Sequence, residues 1–473
     1  MRARRWSRSS FMAPAEQTRS NILLFLTDDH AQWALGAYGN GDLRTPTLDY
    51  LAASGVQMEN AFTPTPVCSP ARASLLTGRL ASQHGIHDYL GSGDPAMQNR
   101  DWLADEITLP QLLGEAGYET AMIGKWHVGR DEVPPSYFDA WFSLSNDYPF
   151  EHDGAFRFVD NGRMVTLRGY KTDIITDHAI RFLRNRADGS FFMVVGYMGT
   201  HSPWQGHPER LVSGYRRCRF KDIPQDVAYP FGRQNLESAN ETRFRPREAL
   251  AQYYAAVTHI DEGVGRILDE LEALGLRERT LVAYTSDHGL NCGHHGIWGK
   301  GNGTLPLNVV EESIRVPLIF NGPGLFAGQR RAEFVDHLDL FQTLLEFAGV
   351  SPPQRGADYY PGRSYLALLQ NTAALRDWRD VQFGEYGPLR MIRTARFKLV
   401  RRYPSGPCEL FDLQRDPRET TNLFDAPDYA GTVAALTALL ERHFERYEDE
   451  EKSGRLGPLL PRYNTTEAWQ TGE

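Results

Sequence analysis

Apolar residues in this chain fall into short unbroken runs separated by longer stretches with helical spacing. Asn21–Thr27 (NILLFLT), Phe191–Tyr197 and Thr280–Ser286 are continuous apolar segments of strand length. That is the mark of strands buried on both faces of a parallel sheet. Glu119–Gly124 reads as another strand, running into the polar end Lys125-Trp126-His127, and Leu318-Ile319-Phe320 continues the sheet. Helices are predicted at Thr45–Ala52, at Leu109–Gly117 with Gly117 as its terminator, and at Glu248–Leu276. The last is the clearest: Tyr254, Val257, Ile260, Val264, Ile267, Leu268 and Leu271 recur with a helical period, and Asp261 and Glu262 beside that stripe read as a solvated face. The alternation of strand and helix predicts an α/β domain. Past about residue 350 the texture changes. Pro and Gly cluster at 352–363, 364–370 is helix-like, Arg390–Arg402 alternates like strands, Glu409–Leu413 reads as a strand, and Ala430–Tyr447 as an amphipathic helix.

Polar side chains collect where the predicted strands end. Asp28-Asp29-His30 follows the first strand, Asp287-His288-Gly289 follows Thr280–Ser286, and Gly199-Thr200-His201-Ser202-Pro203-Trp204 follows Phe191–Tyr197. Adjacent carboxylates at an apolar strand end are costly unless something positive holds them, and in open α/β sheets that edge is where ligands bind. On residue type alone, Asp28-Asp29 reads equally well as a solvated turn. Trp298–Thr304 is a glycine-rich loop carrying Lys300. Segment 205–247 has no period and reads as an irregular insertion near the site mouth.

The most informative stretch is Val67-Cys68-Ser69-Pro70-Ala71-Arg72-Ala73-Ser74-Leu75-Leu76-Thr77-Gly78-Arg79. It predicts a helix with Ser69 as N-cap and Pro70 at its first position, which places Cys68 at a helix N-terminus and Arg72 one turn on. This stretch resembles the signature of the sulfatase family, Cys-x-Pro-x-Arg followed by Ala-Ser-Leu-Leu-Thr-Gly-Arg. Gly124-Lys125-Trp126-His127, Thr45-Pro46-Thr47-Leu48-Asp49 and the order of the acidic strand ends are similar to that family too, over roughly residues 21 to 425.

The resemblance implies an alkaline-phosphatase-like sandwich, a large mainly parallel sheet between helices, with a small C-terminal antiparallel sheet and helix. The expected division is a tail at 1–20, a catalytic domain at 21–375, a C-terminal subdomain at 376–450 and a tail at 451–473 that meets another subunit of a homo-oligomer. It further implies that a formylglycine-generating enzyme converts Cys68 to formylglycine, whose hydrate attacks the sulfur of a sulfate monoester. Asp28, Asp29, Asp287 and His288, with residue 68, would hold one divalent ion. Oxygen ligands suit Ca²⁺ or Mg²⁺, with Ca²⁺ usual in the family, and His288 leaves Mn²⁺ or Zn²⁺ open. Lys125 and Lys300 would hold sulfate oxygens, Arg72 the nucleophile, His201 would protonate the leaving alcohol and His127 would act as base in sulfate release. The alternative within the superfamily is a phosphonate monoester or phosphodiester hydrolase; Lys125 and His127 favour sulfate. An unmodified, non-catalytic metal-binding scaffold is the reading from another class.

Composition alters this picture little. The chain has 473 residues, 41% hydrophobic and 23% charged, enough for a large core. A net charge of −9 argues against a nucleic-acid surface. Four cysteines, 68, 218, 292 and 408, show no paired spacing, which fits a reducing compartment. The basic start Met1–Trp6 is followed by no apolar run before Asn21, so a cytoplasmic address is expected, with a periplasmic one as the alternative, and no membrane span. Trp33, Tyr38, Tyr89, Trp204 and Trp298 lie near the motifs in sequence and read equally as a substrate wall or as core.

Overall fold

The computed structural model describes residues 19–91, 100–145, 151–224, 233–234, 245–353, 355–356, 359–370, 377–461 and 463–464. Most of the predicted tail at 1–20 therefore lies outside the described residues. A ten-stranded sheet organises the chain: β1 (Asn21–Thr27), β2 (Val56–Phe62), β3 (Glu119–Gly124), β4 (Ala140–Leu144), β5 (Asp153–Asp160), β6 (Arg163–Tyr170), β7 (Phe191–Gly196), β8 (Thr280–Ser286), β9 (Leu318–Asn321) and β10 (Gln329–Asp336). Their spatial order is β10-β2-β9-β8-β1-β7-β3-β4-β5-β6. The middle is parallel, with Leu24 of β1 opposite Val194 on one side and Ala283 on the other. Towards the edges, β9 runs antiparallel to β8 and β2, and β5–β6 form an antiparallel hairpin beyond β4.

Alternation along β1 divides the core. Ile22, Leu24 and Leu26 pack on one face with the helices Cys68–Thr77, Leu109–Glu115 and His337–Phe347, through Leu75, Leu113, Phe341 and Leu344. Leu23 and Phe25 face the other layer, helices Pro46–Ala53, Lys171–Asn185 and Pro246–Ala273, through Leu48, Ile175, Ile260 and Val264. Because consecutive β1 side chains enter opposite layers, the strand had to read as one continuous apolar run.

The C-terminal part is a four-stranded antiparallel sheet, Val381–Tyr386, Leu389–Thr394, Phe397–Arg402 and Glu409–Asp412. Helix Ala430–Tyr447 covers it with Leu436, Leu440 and Phe444. Polar contacts tie it to the main domain: Lys398 Nζ donates to Val309 O at 2.8 Å and to Glu311 Oε1 at 3.2 Å, and Arg393 pairs with Glu311 at 3.1 Å.

Two expectations need correction. Segment 205–247 is not irregular throughout: Glu209–Tyr215 is a helix whose Val212 and Tyr215 join Tyr254 in a third apolar cluster. Residues 225–232 and 235–244 of that segment lie outside the described residues. Asp261 is not solvated. It is 1% exposed, and its carboxylate accepts from the backbone N–H of Thr47 (3.2 Å) and Leu48 (2.7 Å), satisfying the first turn of helix Pro46–Ala53. Glu262 does face solvent, paired with Arg210.

Asp261→Ala is therefore expected to destabilise the protein by about 1–3 kcal/mol, and Asp261→Asn by less, since the amide oxygen still accepts. Denaturant unfolding checks this; an unchanged midpoint for the alanine variant would contradict the tertiary cap.

Candidate active site

The carboxyl ends of β1, β3 and β8 deliver their polar residues to one place, and helix Cys68–Thr77 starts there. Val67, in extended conformation, is the N-cap and Ala71 N–H bonds back to its carbonyl at 3.1 Å, so the helix opens at Cys68 itself. Ser69 is not the cap the sequence suggested; its hydroxyl accepts from Leu90 N–H at 2.9 Å. Arg72, one turn on, donates from Nε to Asp287 Oδ2 and from Nη1 to the Lys125 carbonyl, both at 2.9 Å. Its Nη2 has no hydrogen-bond partner among the described residues.

Three cations neutralise three buried carboxylates: Arg72 on Asp287, Lys125 on Asp28, and Lys300 on Asp29 at 2.7 Å. Lys300 Nζ also lies 2.9 Å from Cys68 Sγ, and His288 Nε2 lies 3.4 Å from that sulfur and 3.2 Å from Asp29 Oδ1. Burial alone would raise the Asp28 carboxyl; Lys125, His201, Lys300 and Arg72 outweigh it and hold the group well below the usual range. At Cys68, burial and the Asp28 charge push the thiol up, yet Lys125, Lys300 and His288 bring it down to about 6. The pocket thus favours an anion at position 68. Burial lowers His288, but Asp287 and the neighbouring anions raise it to about 9.

Local backbone shape serves this convergence. Asp29 and His127 sit at φ +58° and +60°, a costly region for residues with a Cβ. Asp29 is secured by its N–H to Asp287 Oδ1 (3.3 Å) and its carbonyl to Tyr253 OH (2.9 Å); His127 by its N–H to Asp131 Oδ1 (3.0 Å). Gly124, at φ +114°, abuts β7 so closely that a Cβ would lie 2.2 Å from Gly196 O, which accepts Lys125 N–H at 2.9 Å. A side chain at 124 would displace the turn that points Lys125 into the site.

The two remaining histidines flank this group. His127 donates from Nε2 to Leu90 O at 3.0 Å, which leaves Nδ1 as a lone-pair acceptor with no partner among the described residues. His201 donates from Nδ1 to Ser202 O at 2.6 Å; burial lowers its pKa, with Lys300 and Lys125 adding to that, while Asp29 and Asp28 beside it act in the other direction. Thr200, beside it, donates its hydroxyl to the Asp28 carbonyl. The His294 ring lies 4.6 Å from Trp33, tilted by 44°, and His295 pairs with Glu312 at 2.8 Å. Trp33, Tyr38, Trp204 and Trp298 are packed or bonded into the core; Tyr38 OH, for instance, accepts from Leu318 N–H at 2.9 Å.

Several supporting residues left no signal in the sequence. Asn308 fixes the Lys300 loop by donating to the carbonyls of Lys300 (3.0 Å) and Gly301 (3.2 Å). The end of the chain pins the segment carrying Leu90: Tyr463 O accepts Gly91 N–H at 3.0 Å, and Asn464 donates to Asp88 Oδ2 at 2.9 Å. Tyr386, from the C-terminal sheet, donates to Asp88 Oδ1 at 2.6 Å.

Donor atoms of Asp28, Asp29, Cys68 and His288 lie within 4.8 Å of one another, and Asp287 Oδ1 is 3.4 Å from His288 Nε2. Asp28 Oδ1 is buried with no hydrogen-bond partner among the described residues. Three carboxylates and an imidazole with one orphaned oxygen fit a divalent cation. A second group, His295, Glu312 and Glu419, already has its cation in Lys398, which pairs with Glu419.

The family model for sulfatases matches residues 20–350, and that for the C-terminal part of N-sulphoglucosamine sulphohydrolase matches residues 295–446. The chain belongs to the sulfatase family. An N-acetylglucosamine-6-O-sulfatase of Bacteroides thetaiotaomicron is 28% identical over 92% of this sulfatase and 88% of its own length. A ulvan-active sulfatase of Formosa agariphila is 30% identical, covering 93% and 83%. A solved structure of a protein in complex with its substrate D-glucosamine-2-N,6-O-disulfate superposes with a TM-score of 0.75 at 28% identity, covering 92% of this sulfatase and all but 1% of that chain (99% covered). The sulfatase has the alkaline-phosphatase-like fold of its neighbours, is an enzyme of sulfate ester hydrolysis, and has no helix among its described residues long and apolar enough to cross a membrane.

Adding Ca²⁺ or Mn²⁺ to chelator-treated protein is expected to raise the thermal midpoint by a few degrees, since an ion bound only by the folded state stabilises it. Asp28→Asn and Asp287→Asn should abolish that shift. A full shift in both variants would place the ion elsewhere.

Proposed function

We propose that this sulfatase cleaves a sulfate monoester of a sugar or other small alcohol, using a formylglycine made from Cys68 by a maturation enzyme and one divalent ion held by Asp28, Asp29, Asp287, His288 and residue 68. The observation that carries the reading is Cys68 Sγ, buried at a helix start, 2.9 Å from Lys300 and 3.4 Å from His288 within a ring of compensated carboxylates. In that position the ion supplies charge neutralisation and the formylglycine supplies a nucleophile with a second hydroxyl for release.

This chain's own residues do the rest. The ammonium groups of Lys125 and Lys300 bind sulfate oxygens, where negative charge accumulates during displacement. Arg72, held by Asp287 and the Lys125 carbonyl, orients residue 68 with its unpartnered Nη2. His201 keeps Nδ1–H on Ser202 O; in its imidazolium form the second proton sits on Nε2 and passes to the leaving oxygen, which leaves the ring neutral. His127 is the opposite tautomer: Nε2–H is committed to Leu90 O, and the free Nδ1 accepts the proton when sulfate is released. A sugar substrate is supported by relatives named N-acetylglucosamine-6-O-sulfatase and ulvan-active sulfatase, and another small alcohol by one named choline-sulfatase.

Cys68→Ala is expected to lower kcat by about 10³-fold or more with an unchanged thermal midpoint. Wild-type-like turnover, or an unconverted cysteine in the peptide spanning residue 68 of fully active protein, contradicts the mechanism. Between sulfate and phosphonate, kcat/KM is expected to be higher for an aryl sulfate than for an aryl phosphonate monoester; the reverse order overturns the substrate class.

A further inference from the structure

His152 lies outside the catalytic group, between β4 and β5, and is 1% exposed. Its Nε2–H donates to the carbonyl of Pro203 at 3.0 Å, two residues beyond His201. Stacking holds the ring at that angle: His207 lies 4.3 Å away at 27°, and His207 Nδ1 accepts from Tyr170 OH at 2.5 Å. The carbonyl of His152 is fixed as well, accepting Lys171 N–H at 2.8 Å at the start of helix Lys171–Asn185. The segment it reaches is anchored at its other end. Thr200 bonds to the Asp28 carbonyl, and the Trp204 indole closes back on Thr200 O at 3.0 Å. Between those anchors, His201 directs Nδ1 to Ser202 O, the carbonyl just before Pro203. The orientation of the His201 ring therefore depends on where the Ser202–Pro203 backbone is held.

We propose that His152 is a positioning residue for the proton-donating ring of His201, acting through the carbonyl of Pro203. The proposal rests on the reading of His201 as the acid that protonates the leaving alcohol. A misaligned acid harms only leaving groups that need a proton. A nitrophenolate departs without one; a sugar alkoxide does not.

The test compares kcat for 4-nitrophenyl sulfate and for a 6-sulfated hexosamine in wild type, His201→Ala, His152→Phe and His152→Gln. His201→Ala is expected to lose about 10²-fold or more on the sugar sulfate and far less on the aryl ester. His152→Phe keeps a stacking ring without the donor; its kcat on the sugar sulfate is expected to fall about tenfold with little change in KM, and that on the aryl ester to stay within about twofold. His152→Gln restores a donor near the Nε2 position and should recover most of the sugar-sulfate rate. If His152→Phe does not fold, His152→Asn, whose amide is too short to reach Pro203, should show the same selective loss. Equal losses on both esters, no loss on the sugar sulfate, or no recovery in His152→Gln overturn the proposal. If His201→Ala shows the selective loss and the His152 variants do not, the positioning role alone falls; if His201→Ala shows none, the acid assignment falls and takes the proposal with it.

Discussion

Three carboxylates, Asp28, Asp29 and Asp287, are buried at one edge of the central sheet, and this arrangement is tenable because three cations meet them there. An unpaired charge at such depth costs several kcal/mol, and removing one partner of a buried pair typically costs about 3–5 kcal/mol. The pairs therefore bind the topology together as well as furnishing the site. Asp28 comes from β1, Lys125 from the end of β3, Asp287 from β8, Arg72 from the helix opened by Cys68, and Lys300 from a loop fixed by Asn308. None of these segments can shift without stranding a charge. In the proposed function two of these cations, Lys125 and Lys300, also engage the sulfate, so folding and substrate binding would share positive charges.

Around that core the molecule fixes ring tautomers with backbone carbonyls. His127 spends Nε2–H on Leu90 and His201 spends Nδ1–H on Ser202, which fixes the nitrogen of each ring that is committed to the backbone. The carbonyl that serves His127 belongs to the 87–91 segment, and that segment is pinned by Tyr386, Tyr463 and Asn464. The C-terminal sheet and the end of the chain thus take part in the site at one remove. Lys398 and Arg393, gripping Glu311, seat this subdomain on the Lys300 side.

Much of this was legible in the sequence. β1, β7 and β8 announced themselves because strands buried on both faces must be apolar throughout, and their ends carried the charged residues that the structure brings together. The structure brings Cys68, Arg72, Lys125, Lys300, Asp28, Asp29, Asp287 and His288 to one place, while the roles that the resemblance implied for them belong to the proposal. What periodicity missed has physical reasons. β2, between β10 and β9 and carrying Glu59 and Asn60, and the exposed hairpin β5–β6 at one sheet edge mix polar and apolar positions, so no clear run marks them. Asp261 looked solvated because helical spacing shows which face a residue occupies but not what packs on it; its partners are 213 and 214 residues away. Ser69 had the residue type of a cap, yet its hydroxyl is taken by Leu90, and the cap falls to Val67. His152 carried no motif, and its partner is 51 residues distant.

The central claim is that strand ends far apart in the chain share a single cation next to residue 68. It is tested most directly by a crystal structure of the matured protein grown with Mn²⁺ and measured at the manganese absorption edge. The account predicts one anomalous peak within about 2.0–2.6 Å of oxygen atoms of Asp28, Asp29 and Asp287 and close to His288 Nε2 and the modified side chain at 68. A peak elsewhere, or no peak with Lys125 and Lys300 still occupying the carboxylates, would contradict it.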